Sequence, residues 1–93
     1  MFLTRDEILD RLKRDFNIKL TVRSFDHYRQ IGLIPPIHGR KNRKGLYPDW
    51  TPELIKKIKD FQQEGSKLSD IRDFSEVFIA GKKIEKEVKK SSK

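Results

Sequence analysis

Four cations in five positions, Arg40, Lys41, Arg43 and Lys44, form the densest group of chemically capable side chains in this sequence. Side by side they repel one another unless an anion lies near, so they make either an anion-binding tip or a solvated loop kept soluble by its charge. A second group stands upstream. Placed at about 100° per residue, Arg23, Asp26, His27 and Gln30 share one arc of a helix, while Val22, Phe25, Tyr28 and Ile31 spread over the other. Side chains of the first kind suit phosphates and base edges, and those of the second kind pack. Catalytic groups do not emerge. There is no spaced carboxylate pair with a pocket, no Gly-rich phosphate loop and no nucleophile with a base partner, which argues against an enzyme. Cysteine is absent, and two histidines eleven positions apart, His27 and His38, make no metal set, so neither a metal nor a cofactor is expected.

The scaffold for these groups must be small. The chain has 93 residues, 34% of them apolar and 39% charged, enough for one domain with a thin core. Its 22 Lys and Arg against 14 Asp and Glu leave a net charge of +8. A polyanion is therefore the first partner to consider, with nucleic acid, an anionic membrane and an acidic protein all open. No apolar run approaches the roughly 18 residues of a membrane span, and the opening MFLTRDEILD lacks the apolar centre of a signal peptide. A soluble, cytoplasmic protein is the expectation.

Local signals divide the chain into elements. Thr4 and Glu7 have capping-box spacing, Leu3 and Ile8 stand where a hydrophobic staple closes, and Ile8, Leu9, Leu12 and Phe16 give the first helix its stripe. Thr21 can cap a second helix from about Val22 to Ile31, which Gly32 ends and Pro35 and Pro36 keep from resuming. Two short stretches, Ile37 to Gly39 and Gly45 to Pro48, flank the four cations, and Asn42 offers a turn, so a small hairpin with a basic tip is expected. A third helix opens at Thr51 with Pro52 at its first position and Trp50 placed to staple against Ile55. Its stripe is Leu54, Ile55, Ile58 and Phe61, and Gly65 ends it. A fourth carries Leu68, Ile71, Phe74 and Phe78, with Gly81 as its expected stop. The organisation expected is one domain over 1–80 and a basic, flexible C-terminal tail over 81–93, whose six Lys, two Glu and lone apolar pair Ile84 and Val88 are too short for a coiled coil.

The segment TVRSFDHYRQIGLIPP, followed by KGLYP and by FQQEGSKLSDIRDF, resembles the N-terminal DNA-binding domain of the MerR family of bacterial regulators. The resemblance covers about residues 3–79 and rests on the order of several weak motifs, including Tyr47 at the end of the hairpin and Gly65, Leu68 and Ile71 at a helix joint. It implies a mainly α fold, a winged helix-turn-helix of about four helices with a small β-hairpin wing between helices two and three. The second helix would then enter the major groove, and the hairpin would touch flanking backbone. On that implication Thr21 sits at a helix N-terminus near a phosphate, and Arg23, Ser24, His27 and Gln30 face base edges or adjacent backbone. Arg40, Lys41, Arg43, Lys44 and Tyr47 hold the wing on backbone or minor groove, and the Tyr28 ring packs with only its hydroxyl free to reach a phosphate.

Two residues depart from the family pattern. Asp26 stands where many members have arginine, and His27 replaces the first of two aromatics. A carboxylate facing phosphates is repelled, so Asp26 either pairs with Arg23 or Arg29 or accepts from a cytosine amino group. His27 either donates to a phosphate or purine N7 or is solvated. The function this implies is sequence-specific binding of double-stranded DNA by a small transcriptional regulator, with RNA polymerase or a second copy of the chain as partners on DNA and no small-molecule effector site evident. An architectural or excisionase-type factor and a protein-interaction module are the alternatives, and nucleoid association goes with either DNA role. The charge is placed accordingly. Residues 20–50 hold six cations against two anions and residues 80–93 the same, whereas 1–19 net +1 and 51–79 net −1.

Overall fold

A computed structural model describes residues 2–35, 39–41 and 43–91, with side chains described as far as Lys82 apart from that of Lys41. In chain order the elements are β1 (Phe2–Thr4), α1 (Arg5–Phe16), α2 (Val22–Gln30), β2 (Gly39–Lys41), β3 (Lys44–Pro48), α3 (Thr51–Gln63) and α4 (Leu68–Ser91). The three strands form one antiparallel sheet in the order β1-β3-β2. This is the winged helix-turn-helix arrangement, with one strand more than the expected hairpin: β1 pairs with β3, setting Leu3 opposite Tyr47.

The helices begin and end where local chemistry dictates. At the start of α1 the Thr4 amide donates to Glu7 Oε1 at 3.0 Å and the Glu7 amide donates to Thr4 Oγ1 at 3.3 Å, closing the capping box. At the end of α2 the Gly32 amide donates to the Arg29 carbonyl at 3.2 Å and the Leu33 amide to that of Tyr28 at 2.9 Å. That pair of bonds needs a left-handed residue between the helix and its exit, and Gly32 supplies it at φ 83°. Gly65, at φ 82°, ends α3 in the same way.

Expectations change at two helix ends and in the hairpin. The first turn of α3 includes Thr51, with Trp50 as the capping residue and no side-chain cap bond, so Thr51 is buried inside the helix. Helix α4 does not stop at Gly81 but runs on to Ser91. Glycine in a helix interior costs only about 1 kcal/mol, and Gly81 has no positive φ to terminate anything. The hairpin strands also lie closer to the turn than expected: Arg40, Lys41 and Lys44 are strand residues, and the turn contains Arg43 at φ 67°. Ile37, His38 and Asn42 lie outside the described residues.

Each helix sends its stripe into one core. Ile8 and Leu12 of α1, Phe25 and Tyr28 of α2, Leu54, Ile55 and Ile58 of α3 and Ile71 of α4 meet Leu3 and Tyr47 of the sheet. Phe61, Phe74, Phe78 and Trp50 extend it as a row of ring contacts between α3 and α4, with centroids 4.8 to 5.8 Å apart. Phe16, Val22 and Leu68, read as stripe residues, are exposed instead. All three lie in the first or last turn of their helices, where the stripe has run past its neighbours. Among the described residues no helix is long and apolar enough to cross a membrane.

Candidate nucleic-acid interface

Helix α2 carries its functional side chains because its packing is settled by only two residues. Phe25 is fully buried and meets the Tyr47 ring edge-on with centroids 5.1 Å apart, and Tyr28 is 6% exposed. With those two fixed inward, Arg23, His27 and Gln30, at helical spacings of four and three, form an exposed stripe along the opposite side. Thr21 caps the helix: its Oγ1 accepts from the Ser24 amide at 3.1 Å, and its hydroxyl donates to Ser24 Oγ at 3.0 Å. Ser24 is thereby turned back toward the cap and half-buried. The cap also leaves the helix N-terminus, where partial positive charge collects, open to an anion.

The wing comes alongside the start of α1 and the inner flank of α2. Arg40, Arg43, Lys44, Gly45 and Tyr47 line a cleft of about 280 Å³ together with Thr4, Arg5, Asp6, Asp26 and Arg29. The register sets Lys41 opposite Lys44, and Lys44 Nζ lies 3.6 Å from Asp6 Oδ2. Arg5 bridges the same cleft, with Nε 3.7 Å from Asp6 Oδ1 and Nη1 4.0 Å from Asp26 Oδ1. Among the described residues Arg23, Arg29, Arg40 and Arg43 take no ion pair. Four guanidinium groups without carboxylate partners among the described residues are thus set around one helix and one hairpin, and guanidinium is a group whose geometry suits phosphate and carboxylate oxygens.

The structure thus brings together most of the residues singled out from sequence and separates two of them. Tyr28 and Tyr47 are core residues. The Tyr28 hydroxyl donates to Gln62 Oε1 at 3.0 Å and the Lys59 ammonium stands 5.8 Å from its ring, so α3 already engages the group expected to reach a phosphate. Tyr47 is 4% exposed and contributes to the cleft wall from inside. Asp26 pairs with Arg5, not with Arg23 or Arg29, because it faces α1 across the helix pair while Arg23 points outward. Arg5 and Arg29 are the cleft cations that the sequence pattern does not single out. Arg29 follows Tyr28 directly and reads as a helix-end cation, and nothing local to Arg5 reports that α2 and the wing fold over it.

A family model described as MerR HTH family regulatory protein matches residues 17–76. Among solved structures, the chain is similar to one described as the crystal structure of HiNmlR, a MerR family regulator lacking the sensor domain, bound to promoter DNA. The TM-score is 0.66 at 18% sequence identity, and the alignment covers 99% of this chain and 66% of that one. At that identity the likeness is one of fold, and the chain spans just under two thirds of its neighbour's length. No curated protein sequence matches the chain.

Proposed function

This chain belongs to the MerR HTH family of regulatory proteins, and on that premise we propose that it binds double-stranded DNA as a transcriptional regulator, with α2 in the major groove and the β2–β3 wing on the flanking backbone. The observation that carries the reading is the exposed Arg23, His27 and Gln30 stripe beside a wing whose Arg40 and Arg43 have no carboxylate partner among the described residues. Arg23 suits guanine O6 and N7, and Gln30 suits adenine N6 and N7. His27 donates to a phosphate or a purine N7. The Thr21-capped N-terminus of α2 sits near a phosphate, and Arg29, Arg40, Arg43 and Lys44 neutralise others without reading sequence. The structural neighbour's complex with promoter DNA supports the same use of the shared fold.

This reading places no reaction in the chain, and it suits a cytoplasmic protein working on DNA. A titration against duplex DNA tests it. If about six phosphates are neutralised, affinity falls roughly a thousandfold between 50 and 200 mM salt. Binding that is absent, or indifferent to salt, contradicts the proposal.

A further inference from the structure

Helix α2 has nine residues, about 13 Å of length at 1.5 Å per residue, and its C-terminal end is held by side chains from another helix. Arg72 of α4 donates from Nε at 3.1 Å and from Nη2 at 3.0 Å to the carbonyl of Ile31, the capping residue of α2. One turn along, Ser75 Oγ donates to the Leu33 carbonyl at 2.6 Å. Between those carbonyls sits Gly32, where the chain reverses at φ 83°. Leu33 and Ser75 are both fully buried, while Arg72 lies at the surface. Two residues three apart on α4 therefore grip both sides of the turn that ends α2.

We infer that Arg72 and Ser75 are positioning residues for DNA reading, fixing the angle at which α2 presents Arg23, His27 and Gln30. The inference rests on the proposed DNA binding and deepens it. Apolar packing of Phe25 and Tyr28 sets how deep α2 lies in the fold, but packing is non-directional. Hydrogen bonds are directional, weakening steeply as the angle at hydrogen closes, and a guanidinium donating twice to one oxygen fixes orientation as well as distance. The positive charge also lies where the α2 dipole is negative. A displacement of about 1 Å at Ile31 moves Gln30 as much, and a base-edge hydrogen bond does not survive it. Phosphate contacts made by long wing side chains adapt to the same movement. Loss of the grip therefore acts on discrimination between sequences and spares affinity for arbitrary DNA.

The test uses a duplex selected from a random pool by the wild-type protein, beside a shuffled duplex of equal length. Arg72→Ala and, separately, Ser75→Ala are expected to lower the preference for the selected duplex by about tenfold, the worth of one base contact. Affinity for the shuffled duplex and the salt slope stay as they were, and Arg72→Lys, which keeps the charge and a donor, recovers part of the preference. In the free proteins the backbone amides of Gly32 and Leu33 exchange hydrogen faster in both alanine variants. A selective wild type whose alanine variants remain as selective overturns the inference alone, whatever happens to their urea midpoints. Equal losses on both duplexes with a salt slope lower by about one overturn it too, because Arg72 is then a phosphate contact. Unchanged exchange at Leu33 removes the grip itself. A wild type with no preference between duplexes overturns the sequence-specific reading first and this inference with it.

Discussion

Asp26 is, with Asp6, one of two carboxylates in a cleft lined by Arg5, Arg29, Arg40, Arg43 and Lys44, and its partner explains why it is tolerated. The Arg5 guanidinium lies 4.0 Å away, and both side chains are about two fifths exposed. An ion pair this open contributes at most about 1 kcal/mol, so its purpose is to cancel charge more than to hold the fold. Asp26→Asn is accordingly expected to shift the urea-unfolding free energy by less than about 1 kcal/mol while raising affinity for duplex DNA several-fold. Because Arg5 and Arg29 then face the backbone with one carboxylate fewer, the gain should be the same on every sequence. A loss confined to sites carrying a cytosine at one position would show instead that Asp26 accepts from that base. That Asp26 pairs with an arginine is legible in the sequence, but the partner, Arg5 and not Arg23 or Arg29, is not. Capping boxes and helix stripes are written in residues three or four apart, whereas Arg5 meets Asp26, Tyr28 meets Gln62, and Arg72 meets Ile31 only once the chain has folded back on itself.

Helix boundaries separate what a glycine does from what a glycine allows. Gly32 ends α2 at φ 83°, where any Cβ is strained, so Gly32→Ala is expected to cost about 1–2 kcal/mol in chemical denaturation. Gly81 looks the same in the sequence, a lone glycine after an apolar stripe, yet α4 passes through it and a Cβ there meets nothing within 4 Å. Gly81→Ala is therefore expected to raise helicity by circular dichroism and to stabilise α4 by up to about 1 kcal/mol. A fall in helicity would restore Gly81 as a stop. At the other end of α2, Thr21→Ala removes the side chain that accepts from the Ser24 amide and should cost about 1 kcal/mol, read from the same denaturation curves. The four helices and the hairpin are legible from such local signals. Strand β1 is not: three residues carry too little pattern to declare a strand, and what makes Phe2–Thr4 one is β3, more than forty positions later.

Charge is distributed so that the packing segments are near neutral and the surplus lies in two places. Residues 20–50 hold six cations against two anions, as do residues 80–93. The first group is organised around one helix and one hairpin, for α2 and the wing share the cleft that contains Arg29, Arg40, Arg43 and Lys44. The net charge of +8 alone predicts attraction to any polyanion, whereas this arrangement predicts where the attraction acts. Changing Arg40, Lys41, Arg43 and Lys44 together to Ala should lower the slope of log affinity against log salt by about one for each phosphate contact removed. Removing the same number of cations from the C-terminal segment, at Lys82, Lys83, Lys86 and Lys89, gives a chain of equal net charge. If the wing is the backbone clamp, the wing variant loses affinity for selected and shuffled duplexes alike and its salt slope falls, while the C-terminal variant keeps most of its affinity for both and most of its slope. Identical behaviour of the two variants would mean that net charge, not the wing, governs binding. The two variants can differ because the two clusters, alike in the sequence, are attached to different parts of the fold: one belongs to the β2–β3 hairpin, and the other follows Ile79 toward the C-terminal end of α4.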